Sequence, residues 1–469
     1  MKKIFMIIIV ATAMCGCSIH KKYQRSEDLA VSASYRDMNN LKNGKEGIAQ
    51  DKDVNKQDTA TLGNLSWREL FTDPYLQLLI EYGLEHNMNL QIAYLRVEQA
   101  EAVLKTSRLA YLPSVNLSPQ GALSSFDGST PSKTYSLSAS ASWEIDVFGK
   151  LANTERSNRA VFESSDAYRQ AVQTQLIATI ANSYYTLLRL DRQLEINLTT
   201  LENWEKNIDV LHALKRAGQS NDPAILRAEA NRLLLESSIL TVRKNINETE
   251  NSLSVLLGRE AQAVQRGILA GQIFSETPAI GVPLQLLSNR PDVRQAEHNV
   301  AQAHYATNIA RAAFYPGITL GGSAGWTNSP GGAIVNPAEF LWSASASLLQ
   351  PIFNRGVNQA NLKIAKAQAE EAFLQFQQSI LNAGKEVNDA IVQWQIAQEQ
   401  INLGQRQIEA LQEAVRKTEL LMRHSSINYL EVLTAQQSLL QAEQTQAQNQ
   451  FDKIQGVINL YRSLGGGTK

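Results

Sequence analysis

The two halves of this chain carry the same succession of patterns, and this duplication limits the fold more than any other feature. The segment 89–117 aligns without gaps on 292–320. The pentapeptide SASAS then follows in each half, at 138–142 and at 343–347, 205 residues apart. Repetition at a fixed spacing indicates that one structural unit is built twice. We therefore predict two repeats, at 61–265 and 266–465.

Each repeat is predicted to contain one very long helix. Between Gly149 and Gly218 the sequence has neither glycine nor proline, and it is rich in the good helix formers Ala, Gln, Leu, Glu and Arg. The second half repeats this run at about 357–424, where only Gly384 and Gly404 interrupt it. At 1.5 Å per residue, such a helix is about 100 Å long. Its Ala and Leu residues recur every three or four positions, which favours close packing of the coiled-coil kind.

Shorter helices are predicted before the strands and after the long helices. The first pair spans about 74–112 and 290–313, and the second pair spans about 223–257 and 428–463. One helix of the first pair and one helix of the second pair, stacked end to end, together match the length of a long helix. Each repeat therefore runs helix, strand, loop, strand, long helix, turn, helix.

Strict alternation marks the strand that contains the first SASAS. Over 135–147 the odd positions are apolar and the even positions are polar. This alternation is longer than the usual soluble strand of about five or six residues. One apolar face with aromatic residues near its ends is typical of a membrane β-strand, although soluble hairpins with one face on a core are the alternative. The predicted strands are 114–124, 134–147, 317–327 and 340–350.

Four strands are too few to close a membrane barrel, for which about eight is the lower limit. Unpaired strand edges are not tolerated in lipid. If the strands span a membrane, several chains must therefore contribute to one barrel. We accordingly predict an α+β membrane protein with long helices and a transmembrane β-barrel that takes four strands from each chain.

The N-terminus has the layout of an export signal: a basic start (MKK), an apolar run (IFMIIIVATA) and then small residues. The apolar run is shorter than the ~20 residues of a spanning helix. Both cysteines of the chain, Cys15 and Cys17, lie at its end. The layout resembles a bacterial lipoprotein signal at 1–17, with Cys17 as the acylated residue and 18–60 as a polar tether. An ordinary cleaved signal with incidental cysteines is the alternative.

Charge and motif content argue against several other classes of protein. The chain has 44 basic and 45 acidic residues, so it lacks the basic surplus of nucleic-acid-binding proteins. The segment GGSAG at 321–325 matches the nucleophile-elbow pattern, but a loop follows it where that motif needs a helix. The histidines are scattered and form no metal-binding motif. We predict no catalytic residues, no metal and no cofactor.

Several segments resemble the TolC-type outer membrane factors, in particular the lipoprotein branch of OprM- and CusC-like efflux proteins. They include "RLAYLPSVNL", "SWEIDVFGK", "NRPDVRQAEHNVAQAHYATNIARAAFYPGITL" and "LLQPIFNRG", and the resemblance covers about 60–465. The family implies a homotrimer with a twelve-stranded barrel in the outer membrane and an α-helical barrel in the periplasm. It also implies two partners, a periplasmic adaptor and an inner-membrane pump of the RND type, which supplies the energy.

The resemblance gives roles to the two helix–turn–helix tips, at 216–226 and 423–433, where the family meets its adaptor and its tunnel narrows. A ring of symmetry-related acids or leucines on such a tip makes a constriction that filters by charge and size. We predict a periplasmic gate of Leu430, Glu431 and Thr434. For Glu431 the alternative is a solvated residue that the helix dipole favours. The predicted adaptor-docking residues are Arg216, Gly218, Ser220, Arg423, Ser425 and Asn428.

The predicted function is that of a passive exit duct in a tripartite efflux system. The alternative is a periplasmic coiled-coil lipoprotein that acts as a scaffold or adaptor without channel activity. Long helical hairpins alone fit that alternative, but the paired strands at a fixed spacing argue against it. The methionines are few and unclustered, which does not favour a copper route.

Overall fold

The computed structural model describes most of the chain from residue 62 onward. The predicted lipoprotein signal with Cys17, and the predicted tether apart from Tyr23 and Gln24, lie outside the described residues. The described ranges are 23–24, 62–218, 220–272, 290–327, 339–423 and 429–468.

The described residues are mostly helical and contain one four-stranded sheet. The elements of the first half are α1 Trp67–Leu70, α2 Pro74–His86, α3 Met88–Leu109, β1 Ser114–Ser124, β2 Ser132–Ile145, α4 Lys150–Arg216 and α5 Asp222–Leu256. Those of the second half are α6 Pro291–Ala312, β3 Gly317–Thr327, β4 Glu339–Leu349, α7 Val357–Arg423 and α8 Tyr429–Ser463. None of the described helices is long and apolar enough to cross a membrane.

Corresponding helices in the two halves have equal lengths. The helices before the strands, α3 and α6, have 22 residues each. The long helices α4 and α7 have 67 residues each, and the returning helices α5 and α8 have 35 each. Each long helix also follows a glycine in the left-handed region, Gly149 with φ 73° and Gly356 with φ 77°. The two halves can therefore be aligned element by element.

The chain forms two compact units, and each takes segments from both halves. Of the described residues, the sheet unit takes those within Tyr94–Ala167 and Arg294–Gln378, and the helical unit takes those from Leu62 to Ala93 and those within Tyr168–Val293 and Ser379–Lys469. Each compact unit therefore contains residues of both predicted repeats, 61–265 and 266–465. The reason is that the halves pair with one another, as the β2–β3 pairing illustrates.

The sheet is antiparallel throughout, in the order β1-β2-β3-β4. Two strands differ from their predicted limits. The strand predicted at 134–147 spans Ser132–Ile145, because the Asp146 carboxylate accepts hydrogen bonds at 3.0 and 2.7 Å from first-turn amides of α4 and so ends the strand. The strand predicted at 340–350 spans Glu339–Leu349. Gln350 follows the strand, and its side chain donates a hydrogen bond to a backbone carbonyl.

The helix predicted at 74–112 is divided into α2 and α3. Asn87 lies between them with extended backbone angles, φ −65° and ψ 121°. Its Nδ2 donates to the carbonyl of Leu256, the last residue of α5, at 2.7 Å. In the second half, Arg290 Nη1 donates to the carbonyl of Ser463, the last residue of α8, at 3.1 Å. In both halves, a residue that precedes a shorter helix therefore contacts the end of the returning helix.

Candidate functional site

One face of the sheet is polar across all four strands. Residues directly opposite in an antiparallel pair lie on the same face, so the pairing defines rows across the sheet. Besides Ser, Thr, Asn, Gln, Glu and Gly, this face carries only Ala122, Leu341 and Leu349 among the described strands. Its central row is Asn116, Ser140, Ser323 and Ser343.

Ser323, the serine of the GGSAG segment, lies in the middle of β3 on this polar face. Its Oγ is 2.8 Å from Ser343 Oγ on the neighbouring strand. The strand continues on both sides of it, from Gly317 to Thr327. A nucleophile elbow requires a sharp turn from a strand into a helix, so this serine does not form one.

The opposite face of the sheet is apolar, with Lys133 at one end of β2 as its charged member. Aromatic residues lie near both ends. Trp326 and Phe340 pack with ring centroids 5.7 Å apart near one end, and Trp143, near the other, donates from Nε1 to a backbone carbonyl at 2.9 Å. An apolar band between aromatic girdles, backed by a polar face, is the pattern of a transmembrane β-sheet. One central row is Leu117, Ala139, Ala324 and Trp342.

The two SASAS copies occupy the same strand of each half, but with a shift of two residues. Ser142, the last residue of the first copy, lies opposite the first residue of β1. The residue opposite the first residue of β3 is Leu349, two positions beyond the second copy. Because side chains alternate between faces with a period of two, this shift leaves every serine on the polar face.

The first tip is described except for residue 219. After Arg216 ends α4, Gly218 turns the chain with φ 77° and has open space around it. Asn221 caps α5, since its Oδ1 accepts from the Ala224 amide at 3.2 Å. Ser220 lies half-buried between the two helices. The Lys215 ammonium pairs with the Asp222 carboxylate across the turn.

The second tip is described only at its two ends. Helix α7 ends at Arg423 and helix α8 begins at Tyr429. The predicted docking residues Ser425 and Asn428 lie outside the described residues. Among the predicted docking residues, the structure thus describes surroundings for those of the first tip, Arg216, Gly218 and Ser220.

A buried apolar cluster holds the ends of α4, α5, α7 and α8 together at the tips. Each of these four helices contributes an apolar side chain to it, so the first tip and the second tip share one core. Beside the cluster, Gln436 Nε2 on α8 donates to Glu419 Oε1 on α7 at 2.8 Å. The cluster consists of Ile208, Leu211, Ile225, Ala228, Met422, Val432 and Leu433.

The three predicted gate residues all lie on the exposed side of α8, away from this core. Leu430 is 44% exposed, and the Thr434 hydroxyl one turn later donates to the Leu430 carbonyl at 2.8 Å. Glu431, in the first turn of α8, is also exposed. The inward positions between them, Val432 and Leu433, are buried. Repeated around a symmetry axis, such a side would present apolar groups, hydroxyls and carboxylates to a common opening.

A row of exposed leucines on α5 starts at the first tip and was not among the predicted functional residues. Leu226, Leu233 and Leu240 are 63%, 55% and 65% exposed. Their seven-residue spacing is the coiled-coil signal that identifies the row from sequence alone. In contrast, no group of His, Cys, Asp or Glu suited to hold a metal ion occurs in the described part of the chain.

Comparison with known proteins bears on this geometry. The family described as outer membrane efflux protein matches residues 79–259 and 282–466. The Cation efflux system protein CusC of Escherichia coli O6:H1 is 31% identical over 464 residues, covering 98% of this chain and 97% of CusC. The probable outer membrane lipoprotein SilC of Salmonella typhimurium is 29% identical over 86% of this chain and 88% of SilC. The toluene efflux pump outer membrane protein TtgC of Pseudomonas putida is 27% identical over 99% of this chain and 96% of TtgC.

Solved structures give the same result. A crystal structure of CusC superposes with a TM-score of 0.84 at 28% identity, covering 96% of this chain and 100% of that one. The open state of the Neisseria gonorrhoeae outer membrane channel MtrE also gives 0.84, at 26% identity over 97% of this chain and 99% of that one. The resemblance to the outer membrane factors is therefore confirmed, and the chain belongs to the outer membrane efflux protein family.

Proposed function

We propose that the chain is the outer-membrane exit duct of a tripartite efflux system. The observation that carries this proposal is the two-faced sheet, whose edge strands β1 and β4 each have one partner strand among the described residues. Lipid does not tolerate open edges, and four strands do not close a barrel. A homotrimer closes a barrel of twelve strands, with the polar face lining the duct and the apolar face toward the lipid.

The long helices of the three chains form the periplasmic barrel in this proposal, and its tunnel narrows at the tips. Leu430, Glu431 and Thr434 line the gate there. A periplasmic adaptor docks on the tips, and an inner-membrane pump of the RND type supplies the energy. The related proteins are named for a cation system and for a toluene pump, so the same fold serves chemically unlike cargo.

The N-terminal anchor is a separate part of the proposal. SilC is called a probable outer membrane lipoprotein, and the N-terminal sequence of this chain has the matching layout around Cys17. We expect mass spectrometry of the mature N-terminus to show an acylated Cys17. A mature chain that begins beyond Cys17 would contradict the anchor and leave the duct untouched.

Reconstitution tests the duct itself. Purified protein added to a planar lipid bilayer is expected to give discrete conductance steps, and native mass spectrometry in detergent is expected to give the mass of three chains. The scaffold alternative predicts a chain that stays in water once its lipid is removed and that conducts no current. That combined outcome would overturn the proposed function.

A further inference from the structure

The apolar face of the described strands carries one charged residue, and it lies at one end of β2. Lys133 is exposed and lies directly opposite Leu123 of β1, in the last row of this face. A lysine on the lipid side of a barrel strand is costly at the bilayer midplane and nearly free of cost at either interface. Its place at the end of the strand is therefore one that a lipid-facing sheet tolerates.

Lys133 lies at the end of the sheet that is farther from the helices. β1 ends at Ser124 and β2 begins at Ser132, so a short loop joins the two strands at this end. At the other end, β2 stops at Ile145 and α4 begins at Lys150. In the proposed duct the helices lie in the periplasm, so the row of Lys133 meets the outer leaflet of the outer membrane.

The spacing along β2 places Lys133 at the level of the lipid headgroups. It lies 12 residues from Ile145, which at about 3.4 Å per residue and a strand tilt of about 40° is a rise of about 30 Å along the membrane normal. The apolar band of such barrels is about 25 Å tall. The aromatic pair Trp326 and Phe340 lies in the row of Leu137, about 10 Å below Lys133. The ammonium therefore extends beyond the aromatic girdle, where lipid phosphates lie.

The surface below Lys133 has the shape and polarity to hold an acyl chain. Gly121 of β1 lies opposite Tyr135, one row below Lys133 and Leu123. A Cβ at Gly121 would meet a backbone carbonyl oxygen of β2 only at 4.0 Å, so the apolar face has open space there. Leu123, which is 71% exposed, and Pro119 flank this space along β1. The result is a shallow apolar depression with an aromatic ring on one side and an ammonium at its outer end.

We propose that Lys133 and the depression at Gly121 bind a phosphorylated glycolipid of the outer leaflet, with the ammonium on a phosphate and an acyl chain beside Tyr135. This rests on the proposed function, which puts the apolar face in lipid and the helices in the periplasm. Lysine binds phosphate as a point charge. The apolar face of the described strands carries no charged residue at its periplasmic end, so the charge favours lipid of the outer leaflet over lipid of the inner one.

Lipid binding to the purified trimer tests the phosphate contact. Wild type, K133Q and K244Q are titrated in detergent with lipid A and with dephosphorylated lipid A, and bound lipid is counted by native mass spectrometry. K133Q is expected to bind lipid A about fivefold more weakly, the factor that one basic residue contributes near an anionic membrane surface. Dephosphorylation is expected to weaken binding to the wild type by a similar factor and to leave binding to K133Q unchanged. K244Q is the control for net charge, because Lys244 is exposed on α5 and pairs with Glu248.

Three results would contradict the site. K133Q might weaken both forms of lipid A equally, which would remove the phosphate contact. A conducting wild type that binds no lipid A would remove the site altogether. Phosphatidylglycerol, a phospholipid with a comparable phosphate, could bind as tightly as lipid A and depend equally on Lys133, which would overturn the assignment to a glycolipid. Conductance in planar bilayers tests the duct separately, since K133Q is expected to conduct like the wild type and a silent wild type would overturn the duct and the orientation of the apolar face.

Filling the depression tests the acyl-chain contact. G121L places a side chain in the open space beside Tyr135 and is expected to weaken binding of both forms of lipid A alike, because it leaves Lys133 in place. V115L is the matched control, since Val115 lies on the same face of the same strand and already carries a side chain. Circular dichroism and the trimer mass establish that both variants fold. A folded G121L that binds lipid A like V115L would show that the acyl chain does not lie at Gly121.

Discussion

Tyr184 donates its phenolic hydrogen to Asp73, with Oη and Oδ2 2.6 Å apart, although 111 residues separate them in sequence. Gln272 Nε2 donates to the same carboxylate oxygen at 2.9 Å, and the Gly267 amide donates to the Tyr184 hydroxyl at 2.9 Å. Burial raises the pKa of Tyr184, and the hydrogen bond to Asp73 raises it further. The neutral phenol therefore ties α2, α4 and the segment after α5 together.

The variant Tyr184→Phe removes the donor and leaves the Asp73 carboxylate with one partner fewer. A hydrogen bond to a charged group contributes about 1.5–3 kcal/mol, so the unfolding midpoint in detergent is expected to fall. Tyr185→Phe is the matched control, since the Tyr185 hydroxyl lies 3.3 Å from the neutral Gln272 Oε1. Calorimetry that finds equal losses for both variants would contradict a special role for the Tyr184–Asp73 bond.

The sequence predicts local structure well where a pattern is continuous. The run without glycine or proline at 150–217 predicts the helix Lys150–Arg216, and strict alternation predicts both faces of β2. Limits that depend on a cap are predicted less well. Asp146 and Asn87 end elements because the side chain of each accepts a hydrogen bond from a backbone amide in the first turn of the next helix, and such local competition leaves no periodic signal.

Contacts between distant segments were outside the reach of pattern analysis. Nothing in the sequence around Asp73 or Tyr184 marks them as partners, because a single buried pair has no spacing to detect. The two-residue shift of the SASAS copies was also hidden, since it preserves the alternation. For the candidate gate, the sequence indicates Leu430 and Glu431 through the family resemblance, and the structure adds that both are exposed on α8.

Neighbouring residues of β2 allow a direct test of the two faces. Ala141→Lys places a charge on the apolar face, where a lysine costs about 2–4 kcal/mol at the bilayer midplane and less toward either interface. Ser140→Lys is the matched control, because it adds the same side chain on the polar face. The yield of heat-resistant oligomer in outer-membrane fractions is expected to fall much more for Ala141→Lys. Equal yields would contradict the assignment of lipid and duct faces.

Removing the Glu431 carboxylate tests the gate. A ring of such charges that contributes about 1 kcal/mol to cation entry changes the permeability ratio about fivefold. Glu431→Gln is therefore expected to lower the cation-over-anion permeability ratio measured from reversal potentials in bilayers. Glu202→Gln, which removes an exposed carboxylate paired with Lys206 on α4, is the control for net charge. An unchanged ratio in Glu431→Gln would remove this residue from the gate.

The ion pair of Asp292 with Arg290 makes the stability of the folded chain depend on pH in the acid range. Its oxygens accept from Arg290 Nε at 3.0 Å and Nη2 at 2.6 Å. Burial opposes ionisation of Asp292, but the bonds from Arg290 outweigh it and hold the pKa below its ordinary 3.8. A pKa that is lowered in the folded state stabilises the fold at pH values above the ordinary pKa. This stabilisation is lost as the pH falls through the pKa of the folded state.

Asp292→Asn is therefore expected to lower the unfolding temperature at pH 7. The difference from the wild type is expected to shrink below about pH 4, where Asp292 begins to take up a proton in the unfolded chain. Thermal unfolding followed by circular dichroism between pH 7 and pH 3 measures this difference. A gap that stays constant with pH would show that the loss comes from packing and owes nothing to ionisation.

Two helix glycines in the helical unit are expected to respond oppositely to replacement by alanine. A Cβ at Gly456 of α8 would lie 3.0 Å from the backbone nitrogen of Trp394 on α7, so α7 and α8 approach closely there. A Cβ at Gly384 of α7 would meet no atom of the described residues within 4 Å. Alanine in a helix interior is favoured over glycine by about 0.5–1 kcal/mol, and this gain is realised only where space exists. Gly384→Ala is thus expected to raise the unfolding midpoint and Gly456→Ala to lower it, and a rise in both variants would contradict the close approach of α7 and α8.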